Sequence, residues 1–317
     1  MTALLETKNL KKYFPVPNGM LHAVDDVTIS INEGETLGVV GESGCGKSTL
    51  GRTIIHLLES TGGQIFFEGK DITHLNSAGL KALRHDMQII FQDPNSSLNP
   101  RKNVEDTILE PLKLANKKLK KAELNDKIEY LMQMVGIDHR MRLAYPHELD
   151  GGRRQRVGIA RALAMGPKFI ICDEPVSALD VSIQAQIINL LQDLQESQKL
   201  TYMFVTHDMS VVHHLADNIC VMYLGQVIEL SPTDEIFEHP VHPYTKALLS
   251  AVPSIDYANK KQRIVTKGEI VSPINPKPGC RFAARCDYVC DKCYEPQILQ
   301  EYAPGHFAAC CRATEIN

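Results

Sequence analysis

The chain has no apolar run long enough to cross a bilayer. Its longest stretches, such as Phe169 to Cys172 and Ile219 to Leu224, are strand-length, against the roughly 20 residues a membrane helix needs. The N-terminus lacks the succession of charged, apolar and small residues that marks a secretory signal. Excess positive charge is missing too: the net charge is −4, which gives no global attraction for nucleic acid or an anionic membrane surface. These absences predict a soluble, cytosolic chain that reaches a membrane only through partners. Cysteine is sparse through most of the sequence, where Cys45, Cys172 and Cys220 are scattered, whereas Cys280, Cys286, Cys290, Cys293, Cys310 and Cys311 crowd the tail. In a reducing compartment such a cluster favours metal over disulfides.

At 317 residues the chain exceeds the usual single core, so one large domain with an appendage is expected. Short β-rich stretches near Ala23 to Ile31, Thr36 to Val40, Gln64 to Glu68, Gln88 to Phe91, Phe169 to Cys172 and Tyr202 to Thr206 alternate with helical segments. This predicts an α/β fold around a sheet with parallel members. A charged, mostly helical region from Ser97 to Tyr145 reads as an insertion. Together with the helix-forming run Val157 to Met165, it defines a helical subdomain of about 97–165. Within it Ile128, Leu131, Met132 and Val135 fall at helical spacing and read as plain core. Beyond Leu230 prolines become dense, from Pro232 to Pro278, so the division expected is a domain over 1–231 and an extension over 232–317.

The most informative segment is Gly41-Glu42-Ser43-Gly44-Cys45-Gly46-Lys47-Ser48-Thr49, which follows the apolar run Leu37 to Val40 and leads into a helix. It reads as a phosphate-binding loop. Glycines let successive N–H groups turn inward on a polyphosphate, while the helix behind presents its positive end. Lys47 would serve the β and γ phosphates, and the Ser48 hydroxyl would hold Mg²⁺. Cys45, near a helix N-terminus, is either a reactive thiol of lowered pKa or a small filler. Downstream, Phe169 to Cys172 ends in Asp173-Glu174. Alone, that is a strand and a polar turn; beside a phosphate loop, Asp173 becomes a second anchor for Mg²⁺ and Glu174 the base for an attacking water.

Glu148 to Arg156 contains Asp150-Gly151-Gly152 ahead of another helix, offering a second helix N-terminus to phosphate. Here the sequence resembles the ATP-binding subunits of ABC transporters, whose signature loop occupies this place. The resemblance runs from about residue 4 to 252. It implies a P-loop ABC-ATPase core in which Tyr13 stacks on adenine, Gln92 is the switch glutamine, Ser177-Ala178-Leu179-Asp180 is the D-loop and His207 is the switch histidine. It further implies head-to-tail pairs of ATPases, each ATP held between one chain's phosphate loop and the other's signature loop, with Gln92 also reporting to membrane subunits. One departure stands out. Asp150 replaces the usual serine and Arg153 the usual glutamine. Asp150 could simply cap its helix, which contributes about 1 kcal/mol. Against a γ-phosphate about 4 Å away it would repel by roughly 4 kcal/mol at an effective dielectric of about 20. Unless Arg153 or Mg²⁺ offsets that, the ATP site completed by this signature loop is expected to be weakened, which argues for a heterodimeric pair.

The segment His239 to Leu249 resembles the extension of dipeptide and oligopeptide importer ATPases. Its histidines suggest metal only weakly, because Tyr244, Ala247, Leu248 and Ala251 at helical spacing read as packing, with Pro243 tolerated in the first turn. Cys280, Cys286, Cys293 and Cys310 follow as C-x5-C-x6-C-x16-C. Thiolates in that number suit an iron-sulfur cluster or zinc, and the spacing resembles a [4Fe-4S] site found in some peptide-importer ATPases. Cys286, Cys290 and Cys293 also form C-x3-C-x2-C, as in radical enzymes that cleave S-adenosylmethionine; a tail position without a following barrel argues against that reading. The resemblance implies ATP and Mg²⁺ as ligands and, as partners, a second ATPase, two transmembrane permease subunits and an extracytoplasmic binding protein, with the chain peripheral on the cytoplasmic side. Peptide is the expected cargo, with nickel or oligosaccharide as alternatives. An ATPase acting on DNA or ribosomes is disfavoured by the single phosphate loop and the lack of sustained heptads. In a third reading the chain is a redox or metal-dependent regulator in which ATP is secondary.

Overall fold

The computed structural model describes residues 3–115, 118–252, 263–268 and 271–316; the stretch 253–262 of the expected extension lies outside the described residues. The chain divides into two compact units, Met1–His74 with Phe204–Asn317, and Leu75–Met203.

The first unit opens with strands β1 (Ala3–Val16), β2 (Gly19–Asn32), β3 (Thr36–Val40), β4 (Gly62–Phe67) and β5 (Lys70–Asp71). The second carries β6 (Met87–Ile90) and β7 (Phe169–Asp173), paired in parallel; β8 (Thr201–Thr206) runs over the division. The chain then returns to the first unit with β9 (Asn218–Tyr223), β10 (Gln226–Pro232), β11 (Gln300–Ala303) and β12 (His306–Ala308).

Every stretch expected to be a strand is one, but they do not all share a sheet. Ala23 to Ile31 and Gln64 to Phe67 belong to a separate antiparallel sheet of order β2-β1-β4-β5. The reason is visible in the side chains: along β2, Val27, Ile29 and Ile31 are buried while Thr28 and Ser30 are exposed, the alternation of a sheet covered on one face. By contrast all five residues of β3 and of β7 are buried, as in strands covered on both faces. In the first unit the remaining strands run β11-β12-β10-β9-β3, with β3 and β9 parallel and the other neighbours antiparallel.

The extension is built onto this sheet. β12 pairs with β10, placing Ala308 opposite Glu229 and Phe307 opposite Leu230. Glu229, fully buried, accepts hydrogen bonds from the backbone N–H groups of Val241 (2.7 Å) and His242 (2.8 Å) and lies 2.8 Å from His306 Nε2. The helix Pro243–Ser250 begins with proline in its first turn and is capped by His242, whose Nδ1 accepts from Tyr244 N–H. That use of the imidazole, with His239 exposed and 3.4 Å from Glu235, explains the two histidines without a metal. The buried face differs from the one expected. Tyr244, Thr245, Ala247 and Leu249 are buried, whereas Leu248 is half-buried and Ala251 exposed, because the helix ends at Ser250.

In the second unit the stripe Ile128, Leu131, Met132 and Val135 is buried as expected. The helix after the signature loop begins at Gly151 and continues to Leu163, so the two glycines lie within it rather than ahead of it.

Candidate nucleotide site and cysteine cluster

In the first unit the phosphate loop joins β3 to the helix Lys47–Ile54. Two glycines are required by close approach as well as by backbone angle. At Gly41 (φ 152°) a Cβ would sit 2.2 Å from the carbonyl oxygen of Met222, and at Gly46 (φ 105°) one would sit 2.0 Å from that of Ala23. Lys47, 4% exposed, is held over the loop by donating to the carbonyls of Gly41 (2.8 Å) and Glu42 (3.0 Å). Ser43 and Gly44 are exposed, and Ser48 and Thr49 half-buried. A cradle of this shape with a cation at its end fits a polyphosphate. Cys45 is 3% exposed, and burial raises its thiol against the lowering effect of the Lys47 charge. The lowered pKa considered from sequence is thus overturned, since desolvation of the thiolate outweighs the cation.

Tyr13, in β1, stacks on His22 with ring centroids 3.9 Å apart at 20°. Its hydroxyl donates to Asp25, which also lies 3.1 Å from His22 Nδ1. Burial, then the hydrogen bond to Asp25, raise the Tyr13 phenol, so it remains a donor. Burial of Asp25 would raise its carboxyl, but the hydrogen bonds of Tyr13 and His22 and the charge of Arg281 hold it below its usual range. His207 is exposed at the end of β8.

The second unit carries a carboxylate pair of its own. Asp173, 1% exposed, closes β7. Glu174 follows at φ 47°, a left-handed backbone that costs a non-glycine residue about 1–3 kcal/mol, and it accepts a hydrogen bond from Gln92 Nε2 at 2.8 Å. The strained turn and the glutamine together aim one carboxylate, as a base oriented for proton abstraction requires. In the signature loop Asp150 caps its helix, accepting from Arg153 N–H at 2.7 Å, and its other oxygen lies 3.4 Å from Arg153 Nε. The cap considered from sequence is therefore present, and Arg153 stands within ion-pair reach of the same carboxylate. Gly152 is needed for packing, because a Cβ there would sit 2.7 Å from Ile183 Cγ2. Asp180 is exposed at the start of the helix Val181–Gln198.

In the tail, Cys280, Cys286, Cys293 and Cys310 line one cavity of about 10 Å³, together with Cys311. Burial raises Cys280 to about 12 and also raises Cys286 and Cys310. Such thiols are inert alone and become ligands only if a cation stabilises the thiolates, so the donor set fits a thiophilic metal. The tightest grouping is a different one: Cys293 Sγ is 3.6 Å from Cys311 Sγ and 3.8 Å from Cys290 Sγ.

Several residues to which sequence reasoning gave no role stand beside this site. Arg281 donates to Asp25 and to the Leu224 carbonyl. Arg285 bonds both Glu42 carboxylate oxygens at 3.0–3.1 Å, and the Tyr244 hydroxyl accepts from Glu42 N–H at 2.8 Å. The only hint in the sequence was an arginine next to each of two cysteines; nothing there identified the partners.

The family described as ABC transporter matches residues 24–177, and the family described as the oligopeptide/dipeptide transporter C-terminal region matches residues 228–293. The chain is 51% identical to the oligopeptide transport ATP-binding protein AppF of Bacillus subtilis, over 97% of this chain and 96% of that one. The chain belongs to the oligopeptide and dipeptide transport ATP-binding family. It is likewise 46% identical to the dipeptide transport ATP-binding protein DppF of Haemophilus influenzae, over 98% and 96% of the two chains. Among solved structures it resembles cbiO1 of Clostridium perfringens, part of the ABC transporter complex cbiONQ, with TM-score 0.67 and 30% identity over 75% of this chain and 92% of that one. It also resembles a dimeric ATP-binding cassette bound to ADP and Pi, with TM-score 0.66 and 29% identity over 72% and 98%. Membership of this family makes the protein an ABC-type ATPase of a peptide transporter.

Proposed function

We propose that this chain couples ATP binding and hydrolysis to uptake of di- or oligopeptides, as one of two different ATPases bound to a pair of membrane permeases that receive cargo from an extracytoplasmic binding protein. The observation that carries this reading is similarity along nearly the whole length to oligopeptide transport ATP-binding proteins, tail included. No helix among the described residues is long and apolar enough to cross a membrane, which suits a peripheral subunit on the cytoplasmic side.

In this reading Tyr13 stacks on adenine; the loop from Gly41 to Thr49 wraps the phosphates; and Lys47 neutralises the β and γ groups. Ser48, Gln92 and Asp173 hold Mg²⁺, which neutralises charge on the phosphates when bound. Glu174, aimed by Gln92, orients and deprotonates the water, and His207 stabilises the transferring phosphoryl group. Asp150, Gly151, Gly152 and Asp180 serve the ATP on the partner ATPase. Because Arg153 answers Asp150 from an exposed position, about half open to solvent on both sides, the screened ion pair offsets only part of the repulsion, and the partner's site is the weaker one.

The test is ATP turnover of the reconstituted complex. Peptide-loaded binding protein should stimulate it, while stimulation by nickel or oligosaccharide alone would reassign the cargo. Glu174→Gln should lower turnover about a hundredfold, with the matching partner substitution costing little; equal losses would refute the asymmetry.

For the tail we infer a thiolate-held metal. A [4Fe-4S] cluster on Cys280, Cys286, Cys293 and Cys310 is supported by the four thiols lining one cavity, whose volume of about 10 Å³, enough for a single water, would have to widen around the cluster. A second reading, zinc on Cys290, Cys293 and Cys311, is favoured by sulfur separations of 3.6–3.8 Å, since tetrahedral zinc with Zn–S of about 2.3 Å has edges of about 3.8 Å. Metal analysis of anaerobically purified protein decides: brown protein absorbing near 400 nm contains iron, and colourless protein with stoichiometric zinc removes the cluster.

A further inference from the structure

Two arginines of the tail leave the cysteine loop and end on the nucleotide-binding residues. Arg281 follows Cys280, and its side chain is only 6% exposed. One of its nitrogens donates to Asp25, the carboxylate that accepts from the Tyr13 hydroxyl and lies beside His22, on which the Tyr13 ring rests. Another donates to the carbonyl of Leu224. The next residue, Gly225, binds the same neighbourhood through its backbone: its N–H donates to the Cys45 carbonyl (2.7 Å), and its own carbonyl accepts from Asp25 N–H (2.8 Å). Arg281 thus fastens the turn after β9, the stacking tyrosine and the phosphate loop to one another.

Arg285 precedes Cys286, with its side chain 9% exposed. It holds both oxygens of Glu42 and also reaches the Tyr223 hydroxyl (3.3 Å) and Thr266 Oγ1 (2.7 Å). Glu42 is the residue whose carbonyl accepts from Lys47 Nζ. The two terminal nitrogens of Arg281 are tied to Asp25 and the Leu224 carbonyl, and those of Arg285 to Glu42 and Thr266, so each guanidinium plane is held from two sides and has little freedom of its own. Packing of the tail needs neither arginine to end on these particular carboxylates, because Tyr223, Tyr244 and Phe282 already form an aromatic cluster with centroids 4.7–5.4 Å apart.

We propose that Arg281 and Arg285 are positioning residues for the nucleotide, Arg281 setting the base-stacking ring through Asp25 and Arg285 setting the phosphate loop through Glu42. The inference rests on the reading of Tyr13 as the adenine platform. The cysteine loop is thereby a structural part of the ATP site, and each arginine governs a different portion of the ligand.

Calorimetric titration of the full-length chain with Mg-ATP and with Mg-tripolyphosphate, which has no base, separates the two portions. Arg281→Ala should weaken Mg-ATP about five- to tenfold, the lower range of one base–aromatic stack, and leave tripolyphosphate within about twofold. Arg285→Ala should weaken both ligands by similar factors. Arg281→Lys should recover part of the loss, and Asp25→Asn, which cuts the same link from the other end, should reproduce the base-selective loss if the alanine variant folds poorly. Tyr13→Ala tests the underlying reading: it should weaken ATP alone. If Tyr13→Ala does so while Arg281→Ala and Asp25→Asn weaken neither ligand, or both equally, the positioning role is refuted. If Tyr13→Ala leaves ATP affinity unchanged, the adenine reading fails, and the role of Arg281 with it.

Discussion

A single Cβ is enough to test how the phosphate loop is built. At Gly44 (φ 79°) added atoms would meet nothing within 4 Å, so Gly44→Ala incurs only the left-handed penalty of roughly 1–2 kcal/mol. At Gly46 the same substitution also drives a methyl to 2.0 Å from the Ala23 carbonyl oxygen. Thermal melts should therefore show Gly46→Ala lowering Tm more than Gly44→Ala, and phosphate affinity should fall further for the former; equal effects would mean that backbone angle alone matters. Cys45 belongs to the same scale. Buried and raised in pKa, it should resist iodoacetamide at neutral pH, and Cys45→Ala should keep most ATPase activity. Rapid labelling of Cys45 blocked by ATP would restore the reactive reading.

Elements inherit such constraints through buried polar groups. His242, fully buried, caps the helix Pro243–Ser250 through an unprotonated Nδ1, and desolvation lowers its pKa to about 4 despite the nearby Glu229 carboxylate. A folded-state value below the unfolded value of about 6.5 means that the unfolded chain takes up the proton first. The contribution of neutral His242 to stability is therefore complete above about pH 6.5 and is lost as the pH drops toward about 4, by up to about 3 kcal/mol. Denaturant titrations across that range should show the loss in wild type and less of it in His242→Asn, which keeps a capping acceptor. The helix was legible in sequence because proline and apolar spacing are local signals. Its buried face was not, because that depends on where the helix stops and on Glu229, which lies in a strand. The same division holds for the sheets: β-rich composition located strands, but one-sided burial rather than composition separated the antiparallel group. The left-handed backbone at Glu174 escaped notice because it leaves no mark in residue type.

At the scale of the whole molecule, the phosphate loop, the Asp173-Glu174 pair and the signature loop were readable because each compresses its chemistry into a few adjacent residues. The attachment of the tail was not. Arg281 finds Asp25 across 256 positions of sequence, and a long-range ion pair has no periodicity to betray it. That attachment makes the metal question one about nucleotide as well as about the tail. On the proposed metal reading, protein stripped of its tail metal and returned to Mg²⁺ buffer should have a looser loop around Arg281 and Arg285 and bind Mg-ATP several-fold more weakly, the signature of coupled sites; unchanged affinity in the stripped protein would separate the two. The account as a whole stands on Lys47 and its loop forming a nucleotide site that drives turnover. The most direct measurement is ATP binding and hydrolysis by the complex assembled with wild-type chain or with Lys47→Ala. The account predicts that the substitution removes most binding to this chain and most peptide-stimulated turnover, and equal binding and turnover by the two would contradict it.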